Sequence, residues 1–179
     1  MMKQKNFSFS VTDIALTGVM AATLEAVKLA LSALPNIELV SLLLALYGYV
    51  FGLSGVLAAF VFVAAEILIW GLSTWVISYL IYWPILALLF WLIGKRISNR
   101  FALAGIAAVM TFLFGVLTSL VDVGLLTGYW DNFWKRFSIY YLRGAWFYVT
   151  HIACNIVTFL TLFKPLEKLF QRLKKQFRK

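Results

Sequence analysis

Four long stretches without Asp, Glu, Lys or Arg constrain this fold more than any other feature of the sequence. They cover residues 39–65, 67–94, 101–121 and 144–163. A helix needs about 20 apolar residues to cross the hydrocarbon core of a bilayer. With 63% hydrophobic and 13% charged residues, the chain carries more apolar surface than a soluble core could bury. The sequence therefore predicts an all-α membrane protein, not a soluble enzyme, a secreted disulfide scaffold or a disordered chain.

The basic residues indicate how often the chain crosses and in which direction. They concentrate near the N-terminus, at residues 95–100 and from residue 164 onward. Cytoplasmic loops carry the excess of Lys and Arg, and six crossings place all three groups on that side. We therefore predict one multi-pass domain of the cell membrane, residues 1–179, with six transmembrane helices and both termini cytoplasmic. The predicted spans are about 11–34, 37–51, 53–70, 76–93, 103–126 and 139–163.

Glycines mark the breaks between the shorter predicted spans. Gly48, Gly52 and Gly55 surround a predicted turn, and residues 71–74 supply the next one. The second span has only about 15 residues, fewer than a crossing normally needs, so we expect protein to cover part of it.

The basic tail, residues 164–179, has apolar residues at helical spacing opposite its cations. This pattern is typical of a helix lying on an anionic inner leaflet, although the basic residues could serve as an orientation signal alone. Nucleic acid is not an expected partner, because the basic residues accompany spans and form no separate domain.

Charged residues inside the predicted spans fall almost entirely in their outer halves. Each costs roughly 2.5–3.5 kcal/mol to insert, so they should serve a purpose. Their common depth predicts a cup that opens to the outside and is closed towards the cytoplasm. The candidate polar residues for binding a substrate are Glu25, Lys28, Asn36, Glu38, Glu66, Asp122 and Arg143.

Aromatic residues gather at the same level, around the third-to-fourth and fifth-to-sixth turns. They could form an interfacial belt, or a lid that stacks on a flat solute. The aromatic candidates for the substrate site are Trp70, Trp75, Tyr129, Trp130, Tyr140 and Phe147.

The same charges could instead be structural. Glu25 and Lys28 are three residues apart and can pair on one helix, while Glu66 or Asp122 could pair with Arg143. His151 and Asn155 are expected to make an interhelical hydrogen bond.

Chemistry by this chain alone has little support in the sequence. One Cys and one His exclude an internal disulfide and a His-rich metal site. No G-x-S-x-G, metal triad or P-loop occurs, so we expect neither an enzyme nor a cofactor.

A small-residue row in the first span, Gly18, Ala22 and Ala26, permits close helix contact. That contact could be with another membrane protein or within the chain.

The sequence resembles the substrate-binding S component of an energy-coupling factor (ECF) vitamin transporter. The resemblance rests on the chain length, six predicted spans, the basic tail, the row at Gly18, Ala22 and Ala26, and the segments PNIELVSLLL (35–44) and YGYVFG (47–52). It implies a transmembrane coupling subunit and two cytoplasmic ATPases as partners. It also implies that the chain binds a water-soluble vitamin from outside and topples to deliver it. Cobalamin is the preferred vitamin, although the charges would also suit a smaller zwitterionic or anionic one. The alternative is a membrane assembly factor or sensor whose charge cluster is structural.

Overall fold

The computed structural model describes residues 10–94, 96–126 and 131–177. These residues form seven helices and contain no strand. The helices are α1 Val11–Leu31, α2 Val40–Phe51, α3 Leu53–Trp70, α4 Thr74–Ile93, α5 Arg100–Leu126, α6 Phe133–Thr161 and α7 Phe163–Phe177.

Helix length and composition support four or five membrane crossings within the described residues. The helices α1, α3, α4 and α5 are each long and apolar enough to cross a membrane. Helix α6 meets the same conditions only together with α7, and the two helices are bent by 58° relative to each other. Helix α2 has 12 residues and rises about 18 Å, against a hydrocarbon core of about 30 Å. The fold therefore agrees with an all-α membrane protein, but α2 is too short to count as the predicted second crossing.

Helix α2 lies at the centre of the bundle. Every one of its residues except Tyr49 is buried, which confirms that protein covers this segment. Gly48 permits the closest approach, because a Cβ built there would lie 2.0 Å from the carbonyl oxygen of Ala87 on α4. Backbone-to-backbone packing against α4 therefore depends on the missing side chain at this position.

The turn from α2 into α3 takes place at a single glycine. Gly52 has a φ of +67°, a left-handed conformation that glycine adopts readily and L side chains rarely do. Gly48 lies within α2 and Gly55 within α3. Of the three glycines around the predicted turn, only Gly52 therefore lies between the two helices. Helix α1 begins at a capping box in which Ser10 and Asp13 each accept a hydrogen bond from the other's backbone N–H.

The two ends of the bundle differ in what covers them. We call the end at which α2 meets α3 the tail end, because α7 packs there: the ring of Phe170 lies 5.4 Å from that of Tyr47. Leu166 and Phe170 pack against the core, while Leu169 and Phe177 remain exposed. The amphipathic tail is thus a helix whose apolar face is partly covered by the protein itself.

The opposite end, which we call the far end, carries the connections from α1 to α2 and from α3 to α4, together with the end of α5 and the start of α6. Helices α5 and α6 have 27 and 29 residues and rise about 40 Å, so they extend past the shorter α1, α3 and α4. The C-terminal part of α5 contacts the N-terminal half of α6 through hydrogen bonds of 2.8 Å between Ser119 and Tyr148 and 2.7 Å from Tyr140 to Asp122. We refer to this projection as the α5–α6 hairpin.

Candidate functional site

Lys28 is the centre of a charged cluster at the far end. Its ammonium group donates a hydrogen bond to Oε2 of Glu66 on α3, and the Glu66 side chain is fully buried. The rings of Trp70, Trp75 and Tyr79 surround the same ammonium group at 5.5, 4.8 and 5.6 Å. These distances lie within the roughly 6 Å range of a cation–π interaction, so aromatic faces and a carboxylate together surround much of the ammonium group, while 24% of the Lys28 side chain stays exposed.

A second carboxyl group enters this cluster from α1. Both carboxyl oxygens of Glu25 are buried and have no hydrogen-bond partner among the described residues, and the group lies near Glu66 and Lys28. Oε1 of Glu66 is also buried without a partner in the described part of the chain. The cluster therefore holds two carboxyl groups for one ammonium group. The sequence suggested Glu25 as the partner of Lys28 and Arg143 as a partner of Glu66, whereas the structure pairs Lys28 with Glu66.

A cavity of about 190 Å³ opens beside Lys28. The segment between α1 and α2 forms one wall, with Asn36 and Glu38 lining it. Helices α3 to α6 supply the other walls, which are mainly aromatic. Their contributions are Phe62, Tyr79, Trp83, Phe114 and His151. The cavity lies above the buried α2, which separates it from the tail end.

Glu38 and His151 form the polar side of this cavity. Oε1 of Glu38 lies 3.0 Å from Nε2 of His151, and Oε2 accepts a hydrogen bond of 2.8 Å from the backbone N–H of Ser41. The second bond satisfies an amide in the first turn of α2, where the helix has otherwise no side-chain cap. Glu38 therefore connects the start of α2 to the middle of α6 and still presents its carboxylate at the cavity wall.

Other polar groups lie buried close to the cavity. The Asn155 amide donates a hydrogen bond of 3.0 Å to Oγ1 of Thr111 on α5, which is the interhelical bond expected from its position. Trp83 lines the cavity and is only 3% exposed, yet its indole N–H has no acceptor within the described chain. An unpaired buried donor costs about 1–3 kcal/mol, and because this nitrogen has essentially no accessible surface, it does not face the cavity as a partner for a bound molecule.

The structure divides the predicted site residues into separate groups. Lys28, Asn36 and Glu38 line the cavity, and Glu25, Glu66, Trp70 and Trp75 surround Lys28 behind it. The remaining described candidates, Asp122, Tyr140, Arg143 and Phe147, lie on the α5–α6 hairpin. Tyr129 and Trp130 lie outside the described residues.

The hairpin candidates lie well beyond the cavity along the helix axes. Asp122 is eight residues past Phe114, and Arg143 is eight residues before His151, which corresponds to about 12 Å in each case. Asp122 accepts its hydrogen bond from Tyr140, and Arg143 is exposed. Neither Asp122 nor Arg143 lines the cavity.

The main residues that the sequence did not indicate are Tyr79, Trp83 and Phe114. Tyr79 and Trp83 belong to the aromatic turn already noted, but Phe114 lies in an uninterrupted apolar run. Its place in the site becomes visible only through contact with α4, where its ring stacks 5.6 Å from that of Trp83.

The small-residue row of α1 faces away from the rest of the chain. Gly18, Ala22 and Ala26 are all exposed, and a Cβ built on Gly18 meets no atom within 4 Å. Packing among the described residues therefore does not account for the row.

Comparison with protein-family models, with curated proteins and with solved structures finds no match to this chain. The class that the fold itself supports is an all-α protein with several helices long and apolar enough to cross a membrane.

Proposed function

We propose that this protein is the solute-binding subunit of a membrane transporter of the ECF type, which takes a water-soluble vitamin from outside the cell. The observation that carries the proposal is the far-end cavity. It combines charged and aromatic side chains in a region that the apolar α2 closes from the other end. A cavity with a few convergent polar groups between helices is a typical small-molecule site.

The proposed orientation places the tail end in the cytoplasm and the far end outside. Basic residues support it, because Arg96, Arg100 and the cations of α7 all lie at the tail end. In this arrangement the second of six crossings of the cell membrane consists of α2 together with the segment between α1 and α2. The short helix can lie at membrane depth because protein surrounds it on all sides.

The partners we propose are a transmembrane coupling subunit and two ATPases. The exposed row of Gly18, Ala22 and Ala26 supports a helix-docking surface, because small side chains let a foreign helix approach closely. Delivery of the solute would then depend on ATP hydrolysis by the separate subunits.

A binding screen tests the function directly. Purified protein is titrated calorimetrically with water-soluble vitamins, and we expect one of them to bind with one molecule per chain. Ile37→Trp fills the cavity and should abolish this binding, whereas Leu92→Trp, on the exposed side of α4, should leave it unchanged. Failure of every vitamin to bind would contradict the proposal and favour the alternative, a membrane assembly factor or sensor with a structural charge cluster.

A further inference from the structure

A groove runs between α1 and α7 at the tail end of the bundle. Both helices pack against α2, and between them they leave a space of about 300 Å³. Tyr47 and Phe51 of α2 form its floor, and mainly apolar side chains of α1 and α7 form its walls, among them Leu16, Val19, Phe170 and Leu173. No part of the described chain covers this apolar surface from the outside.

The groove is accessible from outside the protein. Val19 on α1 is 63% exposed and Phe177 on α7 is 52% exposed, and both line the groove. Helix α1 is long and apolar enough to cross a membrane, so its exposed side meets lipid or another protein. An occupant of the groove therefore gains most by bringing apolar surface of its own.

The groove ends in a polar space, which we call the mouth. This second cavity, of about 500 Å³, lies beside the start of α1 and shares Leu16 and Phe51 with the groove. Its polar lining residues are Ser10, Asp13, Ser54 and Lys174. An apolar groove that continues into a polar mouth is complementary to an amphiphile, which has an apolar tail and a polar head group.

The charge around the mouth favours an anionic head group. Within the mouth Lys174 and Asp13 balance each other in charge, and the Asp13 carboxylate accepts hydrogen bonds of 3.1 and 2.7 Å from the backbone N–H and hydroxyl of Ser10. The one acidic residue of α7, Glu167, pairs with Lys164 at 2.7 Å. The further cations of α7 are Lys168, Arg172 and Lys175, all exposed. These cations make the surroundings of the mouth positive.

A lipid tail fits this groove better than a partner helix does. Close helix contacts in membranes use small side chains, whereas Val19, Leu173 and Phe177 at the groove are large. A flexible acyl chain can lie between such side chains. We propose that the groove holds an acyl chain of an anionic phospholipid whose phosphate group lies at the mouth, beside Lys174. The orientation proposed above places this lipid in the cytoplasmic leaflet, and the inference does not depend on vitamin binding.

Native mass spectrometry of the full chain, purified in detergent, tests the site. Phosphatidylglycerol and phosphatidylcholine with the same acyl chains differ in head-group charge, and glycerol 3-phosphate has the phosphate without the tails. We expect one phosphatidylglycerol per chain, bound about fivefold more tightly than phosphatidylcholine, as for one added contact between a cation and an anionic lipid. Glycerol 3-phosphate should not bind at the same concentration, because it lacks the apolar part.

Matched variants connect binding to the groove and to the mouth. Ala15→Trp fills the groove from an exposed position on α1 and should weaken phosphatidylglycerol binding about tenfold or more. Ala102→Trp makes the same change at an exposed position near the start of α5 and should leave binding unchanged. Lys174→Gln should remove most of the preference for phosphatidylglycerol. Lys168→Gln, about 9 Å away along α7, should preserve it.

The outcomes separate this inference from the proposed function. Equal binding of the two phospholipids by the unmodified chain would overturn the anionic class, whether or not Lys174→Gln folds. Unchanged phosphatidylglycerol binding in Ala15→Trp would overturn the site, and a dimer that this variant abolishes would assign the groove to a second copy of the chain instead. Vitamin binding should be the same in Ala15→Trp as in the unmodified chain. Failure of every vitamin to bind contradicts the proposed function alone, and failure of phosphatidylglycerol to bind contradicts this inference alone.

Discussion

The ammonium group of Lys28 on α1 pairs with the carboxylate of Glu66 on α3, whose side chain has no exposed surface. The pair fixes two helices against each other and at the same time sets Lys28 at the cavity wall. Aromatic rings pack around the same ammonium group, and about a quarter of the Lys28 side chain remains exposed. Lys28 thus belongs both to the cavity wall and to the contact between α1 and α3. Variants are needed to separate its contribution to ligand binding from its contribution to stability.

Breaking this pair should destabilise the protein strongly. Lys28→Met leaves the Glu66 carboxyl buried without its partner, for which the expected cost is about 3–5 kcal/mol. The double variant Lys28→Met/Glu66→Met should regain most of that loss, because apolar side chains can replace a buried pair. Thermal unfolding in one detergent measures both.

The pair between Lys164 and Glu167, at 2.7 Å and with side chains 32% and 12% exposed, is more exposed than the Lys28–Glu66 pair and supplies the control. Lys164→Met should cost no more than about 1 kcal/mol, as for exposed pairs in general. Equal losses of stability for Lys28→Met and Lys164→Met would show that burial of the first pair has little energetic consequence.

Ligand affinity should depend on Glu38 and not on Asp122. A hydrogen bond to a charged group contributes about 1.5–3 kcal/mol, so Glu38→Gln should weaken binding of the vitamin identified in the screen about tenfold to a hundredfold. Asp122→Asn changes a carboxylate that accepts a bond from Tyr140 on the α5–α6 hairpin, and affinity should change less than twofold. Titration of both variants with the same ligand decides between the cavity and the hairpin as the site, and a larger effect at Asp122 would favour the hairpin.

The exposed row on α1 should be needed for transport and not for binding. Gly18→Leu adds a bulky side chain where a partner helix would dock, so solute uptake in cells with the coupling subunits should be lost. Gly105→Leu is the matched control, because Gly105 is also an exposed helical glycine with open space around it. Binding by the isolated protein should remain normal in both variants, and unimpaired uptake with Gly18→Leu would remove this row from the interface.

The orientation of the bundle can be read by labelling single cysteines in a Cys154→Ser background. Asn132 precedes α6 at the far end and Ser98 precedes α5 at the tail end, and both are exposed. An impermeant thiol reagent added to intact cells should label Asn132→Cys and should reach Ser98→Cys only after the membrane is opened. The reverse pattern, or labelling of both positions from outside, would contradict the proposed topology.

Helix bounds could be predicted where charge and turn residues coincide, and not elsewhere. The third span, predicted at 53–70, matches α3, because Gly52 and Gly71 interrupt the chain on both sides. Helix α2 begins at Val40 and not at residue 37, since Asn36 adopts a left-handed conformation and Glu38 bonds the first turn from outside the helix. Helix α6 begins six residues before its predicted span because Lys135 and Arg136 interrupt an apolar run without interrupting a helix.

The composition of the site was predictable only in part. Residues one or two turns apart, such as Glu25 and Lys28, can be related by helical spacing. Glu38 and His151 are 113 positions apart, and only the folded chain brings them together. The sequence places Asp122 at the same depth as the other charges only if all spans end at one level, whereas α5 extends further than its neighbours.

The central claim is that the far-end cavity holds a small solute, and the solute that accompanies the purified protein tests it most directly. Protein isolated rapidly from membranes is denatured, and the released small molecules are identified and quantified by mass spectrometry. We expect one small solute in nearly equimolar amount from the unmodified chain, much less from Ile37→Trp, and the unmodified amount from Leu92→Trp. A solute released equally from the unmodified chain and from Ile37→Trp would place its binding site elsewhere and contradict the account.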